Sequence, residues 1–140
     1  MIDTGTVEIR RLLPVPVDEA FRWWTEADLL QRWMSPTGTV SAEIDLRVGG
    51  SFTIVMRDSG MEIEHRGEYL EIERPHRLVF TWSSRYTHGT SLITVTFEPA
   101  AGGESWLRLV HSRLPEEAAA SHAGGWQGIL SRLERELALR

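Results

Sequence analysis

Hydrophobic and polar residues alternate near the start of the chain, with the two-residue period of a half-buried strand. Residues 6–12 show this alternation and predict a first strand. Pro16 then suits the first turn of a helix, which we expect to run to about Trp24. Residues 25–28 are similar to a capping box, so they predict a second short helix that ends before Pro36.

From residue 39 to residue 114 the pattern changes to short apolar-rich runs separated by turn residues. It predicts six further strands, near 39–46, 51–58, 61–72, 77–84, 91–98 and 104–113. The connections are too short to hold a crossover helix, so neighbouring strands should pair antiparallel. Beyond Pro115, apolar residues recur at helical spacing from Trp126 to Leu137 and predict a long amphipathic helix.

These elements indicate one α+β domain over residues 1–140, in the order β-α-α-β6-α. We expect a curved, seven-stranded antiparallel sheet that wraps around the C-terminal helix. A twisted sheet curls, and a straight helix cannot fill the hollow, so large side chains or a ligand must do so. Six Trp, four Phe, two Tyr and four Met could serve either purpose.

Composition excludes several classes of function. Fifteen Arg face 20 Asp and Glu with no Lys, so the formal net charge of −5 disfavours nucleic-acid binding and no lysine Schiff base can form. The absence of Cys excludes disulfides and thiolate metal sites. No apolar run is long enough to span a membrane, and the N-terminus has no signal-peptide pattern, which predicts a soluble, cytoplasmic protein.

The sequence carries no nucleophile elbow, P-loop or zinc-binding HExxH motif. Glu62 and Glu64 should point to one face of a strand and His65 to the other, which is unfavourable for a metal site. The glycines of residues 124–128 lie inside a predicted helix, so they indicate a kink, or a close approach of this helix to the sheet or to a bound molecule, rather than a phosphate cradle. We therefore predict no metal, nucleotide or other cofactor.

Four polar residues, His65, Tyr69, His111 and His122, fall on or near apolar faces. His111 shares its strand face with Leu107 and Leu109. Such a histidine is either a core residue with satisfied ring nitrogens, or a cavity group that orients a ligand or transfers a proton. Tyr69 has the same two interpretations.

Several segments together resemble one known family. They are Trp24-Thr25 and residues 30–36, 45–52, 67–72, 77–82, 94–98 and 122–126. The last of these segments is similar to an "H..GW" helix pattern. The chain thus resembles the AHSA1-like group, named for the activator of the Hsp90 ATPase, within the START/Bet v 1-like (SRPBCC) superfamily. The resemblance covers nearly the whole chain and implies a helix-grip fold around an internal hydrophobic cavity.

The resemblance implies three functions. Relatives bind lipids, sterols or polyketides, some act as cyclases or aromatases, and the eponymous member stimulates a chaperone. We favour binding of an apolar small molecule or lipid between the sheet and the C-terminal helix, without catalysis. A cyclase or dehydratase that uses a cavity His or Tyr, and a chaperone ATPase activator, stay open as alternatives. The ligand's identity and the oligomeric state are not determined by the sequence.

The candidate ligand-binding residues come from the second helix, several strands and the last helix, which the fold brings around one space. Trp82 and Trp126 among them should be buried, because both belong to apolar faces of their elements. The candidates are Trp33, Phe52, Ile54, Met56, His65, Tyr69, Phe80, Trp82, His111, His122 and Trp126.

Overall fold

Seven strands form one antiparallel sheet in the computed structural model, which describes residues 4–139. The strands are β1 (Thr4–Leu13), β2 (Thr39–Ile44), β3 (Ser51–Asp58), β4 (Met61–Glu73), β5 (Arg77–Trp82), β6 (Ser91–Pro99) and β7 (Ser105–Pro115). Strands β2 to β7 follow one another as a meander, and β1 pairs with β7. The predicted α+β fold with an antiparallel, curved sheet is confirmed.

Three α-helices accompany the sheet: α1 (Val17–Thr25), α2 (Ala27–Leu30) and α3 (Ala119–Leu139). Short 3-10 turns cover Ala101–Gly103 and Glu116–Ala118. The predicted apolar stripe of α3 is buried along its whole length, from Trp126 to Leu137. Because this stripe packs into the hollow of the sheet, the architecture is the expected helix grip.

The predicted capping box at residues 25–28 is wrong. Thr25 is the last residue of α1, and its hydroxyl donates back to the carbonyl of Phe21 at 2.8 Å. Glu26 occupies the N-cap of α2 and makes no capping hydrogen bond with its side chain. A threonine hydroxyl can satisfy the carbonyl four residues earlier in its own helix, and here that bond takes precedence over capping the next helix.

Strand alternation decides which side chains reach the concave face. In β4, His65 and Tyr69 are buried whereas Glu64 and Glu68 are exposed. In β7, Leu109 and His111 are buried beside the exposed Arg108. The two-residue period therefore places the histidines inside, as the sequence predicted.

Partly buried and exposed polar contacts fix α3 over the sheet. Arg132 Nη1 donates to the carbonyls of Ser35 and Gly38 at 3.0 and 3.1 Å, respectively. Arg11 on β1 pairs with Glu134 at 3.2 Å. These contacts hold the helix to β1 and to the segment that follows α2, so the space between helix and sheet has fixed walls.

Candidate ligand-binding site

An apolar pocket with a volume of about 390 Å³ lies between α3 and strands β3 to β5. It reaches the surface beside Tyr86, a residue of the β5–β6 loop whose exposed fraction is 44%. Among the described residues, no charged side chain lines it. The lining residues are Pro36, Met56, Ile63, His65, Trp82, Tyr86, Ser121, His122, Gly125, Trp126 and Ile129.

One face of α3 forms a wall of this pocket. Residues spaced three and four apart share a helix face, which brings His122, Gly125 and Ile129 to the same side. A Cβ added to Gly125 would meet nothing within 4 Å, so the missing side chain leaves room for the pocket. A Cβ on Gly128 would lie 3.1 Å from the Pro36 Cβ, so the helix approaches the segment after α2 closely at this glycine, and not the sheet.

His65 lies against Trp82 on the sheet side of the pocket. The two ring centroids are 4.7 Å apart, and only 7% of His65 is exposed. Its Nδ1 is buried and has no hydrogen-bond partner among the described residues. Burial lowers the pKa of His65 to about 4, so the ring is neutral at pH 7.

His111 lies behind the pocket, and both of its ring nitrogens are engaged. The Trp126 indole N–H donates to His111 Nδ1 at 3.0 Å. Because an indole can only donate, Nδ1 accepts and Nε2 carries the proton in the neutral ring. Nε2 then donates to Ser91 Oγ at 2.7 Å, and that hydroxyl donates to the Trp82 carbonyl at 2.6 Å.

His122 is the partly buried histidine on α3 that lines the pocket. Its Nδ1 lies 2.9 Å from the Ala118 carbonyl, and a carbonyl can only accept, so Nδ1 carries a proton. In the neutral ring, Nε2 is then left as a hydrogen-bond acceptor. The His122 ring meets His111 edge-on at 5.3 Å, which places the two imidazoles on either side of the pocket wall.

The structure divides the eleven predicted site residues into groups. Met56, His65, Trp82, His122 and Trp126 line the pocket. Phe52, Ile54, Tyr69 and Phe80 instead border a separate void of about 10 Å³, together with Trp24, Leu30, Met34 and Trp82. Trp33 and His111 are fully buried and line neither space.

Six lining residues are missing from the sequence-based set: Pro36, Ile63, Tyr86, Ser121, Gly125 and Ile129. Strand parity with His65 could have found Ile63, and helix spacing from His122 and Trp126 could have found Gly125 and Ile129. Tyr86 and Pro36 lie in connections between elements. Their positions depend on loop geometry, for which the sequence carried no periodic signal.

The remaining motifs have structural surroundings. Glu64 is exposed and pairs with Arg66 at 3.0 Å, on the face of β4 opposite to His65. Within residues 4–139, no three His, Asp or Glu side chains are grouped closely enough to hold a metal ion. In the same part of the chain, no helix is long and apolar enough to cross a membrane.

Solved structures with the same fold show what this chain is similar to. An HSP90 activator from Plasmodium falciparum has a TM-score of 0.79 and 30% identity, over 96% of each chain. The AHSA1 protein from Silicibacter pomeroyi has a TM-score of 0.83 and 25% identity, over 96% of this chain and 99% of that one. CalU16 from Micromonospora echinospora shares the fold, with a TM-score of 0.75 and 23% identity over 98% and 85% of the chains, respectively.

The search of curated proteins returned no match. A family model, however, matches residues 14–138, which include every residue that lines the pocket. That model describes the activator of Hsp90 ATPase homolog 1-like proteins. Because the match extends over most of the sequence, the chain belongs to the AHSA1 family of activator of Hsp90 ATPase homolog 1-like proteins.

Proposed function

We propose that this protein binds an uncharged, mostly apolar small molecule in the pocket between α3 and strands β3 to β5. The observation that carries the proposal is the pocket itself, with its volume of about 390 Å³ and its lining of apolar and aromatic side chains. Small-molecule sites have volumes of about 300–1,000 Å³ and combine apolar walls with a few polar groups. A charged ligand would lose its hydration without a charged partner in the lining.

The available surface is sufficient for useful affinity. Burying about 300 Å² of apolar ligand surface at about 25 cal/mol per Å² contributes about 7.5 kcal/mol before ordering costs. Because the contacts of α3 with β1 and with the segment after α2 hold the helix in place, little further ordering of the backbone is required. We therefore expect dissociation constants in the micromolar range for a well-fitting ligand.

A few polar groups can orient the ligand within these walls. In its neutral ring, His122 presents Nε2 as an acceptor, because Nδ1 is used by the Ala118 carbonyl. His65 is neutral and packs against Trp82 with the two ring planes tilted by 31°, which gives the sheet side an aromatic surface. These features favour a ligand with a planar apolar body and a hydroxyl or amine donor.

Two glycine variants test the proposal with a matched control. Gly125→Leu places a side chain in the pocket, whereas Gly124→Leu adds the same side chain to the exposed neighbouring position. Titration with the neutral fluorescent probe N-phenyl-1-naphthylamine should give saturable binding to the wild type and to Gly124→Leu. Binding should weaken at least tenfold in Gly125→Leu; equal binding by all three proteins would overturn the proposal.

Native mass spectrometry provides a second readout that needs no chosen ligand. Freshly purified wild-type protein should carry a retained small molecule in stoichiometric amount, and Gly125→Leu should lack it. Recovery of the molecule unchanged after incubation would favour binding over the cyclase or dehydratase alternative. That alternative would depend on His65 and His122, which line the pocket, because His111 and Tyr69 do not.

A second candidate function is stimulation of an Hsp90-type chaperone ATPase. Its support is the 30% identity, over 96% of both chains, to an HSP90 activator from Plasmodium falciparum. The test is ATP hydrolysis by the Hsp90 homologue of the source organism, with and without an excess of this protein. An increase of severalfold would establish the activity, and an unchanged rate would exclude it. The cytoplasmic location stays a prediction under either function.

A further inference from the structure

Trp82 borders two separate spaces in the interior. It lines the outer pocket of about 390 Å³, and it also lines the inner void of about 10 Å³. Its own exposed fraction is 2%, so it is enclosed by protein except where it faces these spaces. The Trp82 side chain is therefore the partition between the surface-connected pocket and the interior of the helix grip.

One of the residues that border the inner void has an unused hydrogen-bond donor. Trp24 borders the void, is 2% exposed, and its indole Nε1 has no partner among the described residues. By contrast, the neighbouring Trp33 donates its Nε1 to the Trp23 carbonyl at 3.1 Å. A buried N–H without an acceptor costs free energy, so an acceptor that reached Trp24 would be favoured.

The remaining walls of the void are apolar and aromatic, apart from Tyr69. Phe52 and Phe80 pack at 5.5 Å between centroids, and Tyr69 lies 5.5 Å from Phe52. Burial raises the pKa of Tyr69, so its hydroxyl keeps its proton and can donate. Two residues that border the void, Trp24 and Tyr69, thus carry donors among otherwise apolar neighbours, a combination that suits a single uncharged acceptor atom such as a carbonyl oxygen.

The room for movement of Trp82 lies on one side. The Trp82 ring contacts His65 at 4.7 Å and Trp126 at 5.6 Å, and both of these residues line the outer pocket. On the other side, Phe52 at 5.9 Å and Phe80 at 6.3 Å close the void. A shift of the Trp82 ring toward the pocket would join the two spaces.

We propose that Trp82 is a movable partition, and that the space behind it is an inner subsite for a carbonyl-type acceptor that binds the Trp24 N–H. This inference rests on the proposed function, because the ligand enters through the outer pocket. The ligand class is then a neutral, planar, elongated molecule with a ketone, aldehyde or ester oxygen at its leading end. Its body remains between Trp126 and the sheet, and its acceptor lies beside Trp24.

Two isosteric probes test the inference: 2-acetylnaphthalene and 2-isopropenylnaphthalene, which differ by a carbonyl in place of an alkene. Their affinities are measured by displacement of N-phenyl-1-naphthylamine from the wild type, Trp24→Phe and Trp33→Phe. In Trp24→Phe the affinity for the acetyl probe should fall by about 2- to 10-fold relative to the affinity for the isopropenyl probe, as expected for the loss of one net hydrogen bond. Trp33→Phe, the matched control, should leave the ratio of affinities unchanged.

A variant of the partition and a wild-type measurement complete the test. Trp82→Phe should increase the ratio of the affinity for the acetyl probe to the affinity for the isopropenyl probe. A smaller ring moves aside more easily and gives the acetyl oxygen easier access to the Trp24 N–H. In the wild type, the acetyl probe alone should shift the ¹H–¹⁵N resonance of the Trp24 indole. This measurement keeps the inference testable if a tryptophan variant fails to fold.

The outcomes separate the inference from the proposed function. If neither naphthalene binds the wild type, the proposed function fails and the inner subsite fails with it. A second outcome is that both probes bind the wild type and Gly125→Leu abolishes binding, but neither the ratio of affinities in Trp24→Phe nor the Trp24 resonance responds to the carbonyl. That outcome supports binding in the outer pocket and overturns the inner subsite. A ratio that falls in Trp24→Phe and not in Trp33→Phe supports the subsite.

Discussion

The Trp126 indole donates a hydrogen bond to Nδ1 of His111 at 3.0 Å, which links the long helix to β7 of the sheet. The chain of bonds continues through Ser91 to the carbonyl of Trp82. Trp82 and Trp126 both line the pocket, so a single buried network holds two of its walls. The neutral His111 ring connects the two groups, because it accepts a hydrogen bond from the indole, which can only donate, and donates one to the hydroxyl, which can accept.

We predict that Trp126→Ala lowers the free energy of unfolding by about 3–5 kcal/mol, the range for deletion of large buried aromatics. Trp126 is 2% exposed and packs against both Trp24 and Trp82, so little of the cavity can collapse. Urea denaturation followed by circular dichroism measures the change. A loss below about 1 kcal/mol would contradict the burial that the structure shows.

Trp126→Phe isolates the hydrogen bond from the packing. It retains an aromatic ring but leaves His111 Nδ1 without its donor, which costs about 1–3 kcal/mol for a buried acceptor. The double variant with His111→Phe removes both polar partners. We expect the two changes to be non-additive by about 0.5–3 kcal/mol in a double-mutant cycle, and strict additivity would argue against the bond.

Stability should fall as the pH drops below about 6.5. Burial, with smaller contributions from His122 and His65, lowers the pKa of His111 to about 3, and burial lowers that of His65 to about 4. Between these values and the unfolded value near 6.5, the unfolded chain binds more protons than the folded protein. The stability contributed by the neutral rings is present above pH 6.5 and is lost as the pH falls toward 4 and 3, respectively.

The loss of unfolding free energy that His111 alone causes is about 1.4 kcal/mol per pH unit below 6.5, or about 2 kcal/mol at pH 5. His111→Gln keeps an acceptor for Trp126 and a donor for Ser91 but cannot titrate. Its free energy of unfolding should therefore depend less steeply on pH between 6.5 and 5 than that of the wild type. Parallel pH profiles of the two proteins would contradict the assignment of this loss to His111.

The sequence predicted the sheet and the helix stripe because their periodicities follow directly from backbone geometry. Alternation in β4 placed His65 inside, and the spacing from Trp126 to Leu137 placed the stripe of α3. The division of the interior into a pocket and a void depends instead on how far each ring extends. That is why Phe52, which faces the same concave side as Met56, borders the void and not the pocket.

The glycines of α3 provide a graded stability test. Gly124→Ala should stabilise the protein by up to about 1 kcal/mol, because alanine is the better helix former and its Cβ meets nothing within 4 Å. Gly128→Ala should gain less or lose stability, because its Cβ would lie 3.1 Å from the Pro36 Cβ. Thermal unfolding of the two variants side by side measures the difference, and equal gains would contradict the close approach.

Gly67 is the glycine whose replacement should be most harmful. It pairs with Phe52 across β3 and β4, and an added Cβ would lie 2.0 Å from the Thr81 carbonyl oxygen and 2.3 Å from Phe52 Cζ. The ring packs against Tyr69, Phe80 and Trp82, and the carbonyl belongs to the backbone of β5. Gly67→Ala should therefore cost at least about 1–3 kcal/mol, the usual range for overpacking. Because Phe52 lies 5.9 Å from Trp82, which lines the outer pocket, the displaced ring should also weaken the binding of N-phenyl-1-naphthylamine by the folded fraction. Denaturant titration measures the first effect and probe titration the second; an unchanged midpoint of unfolding would show that the strands separate at this position.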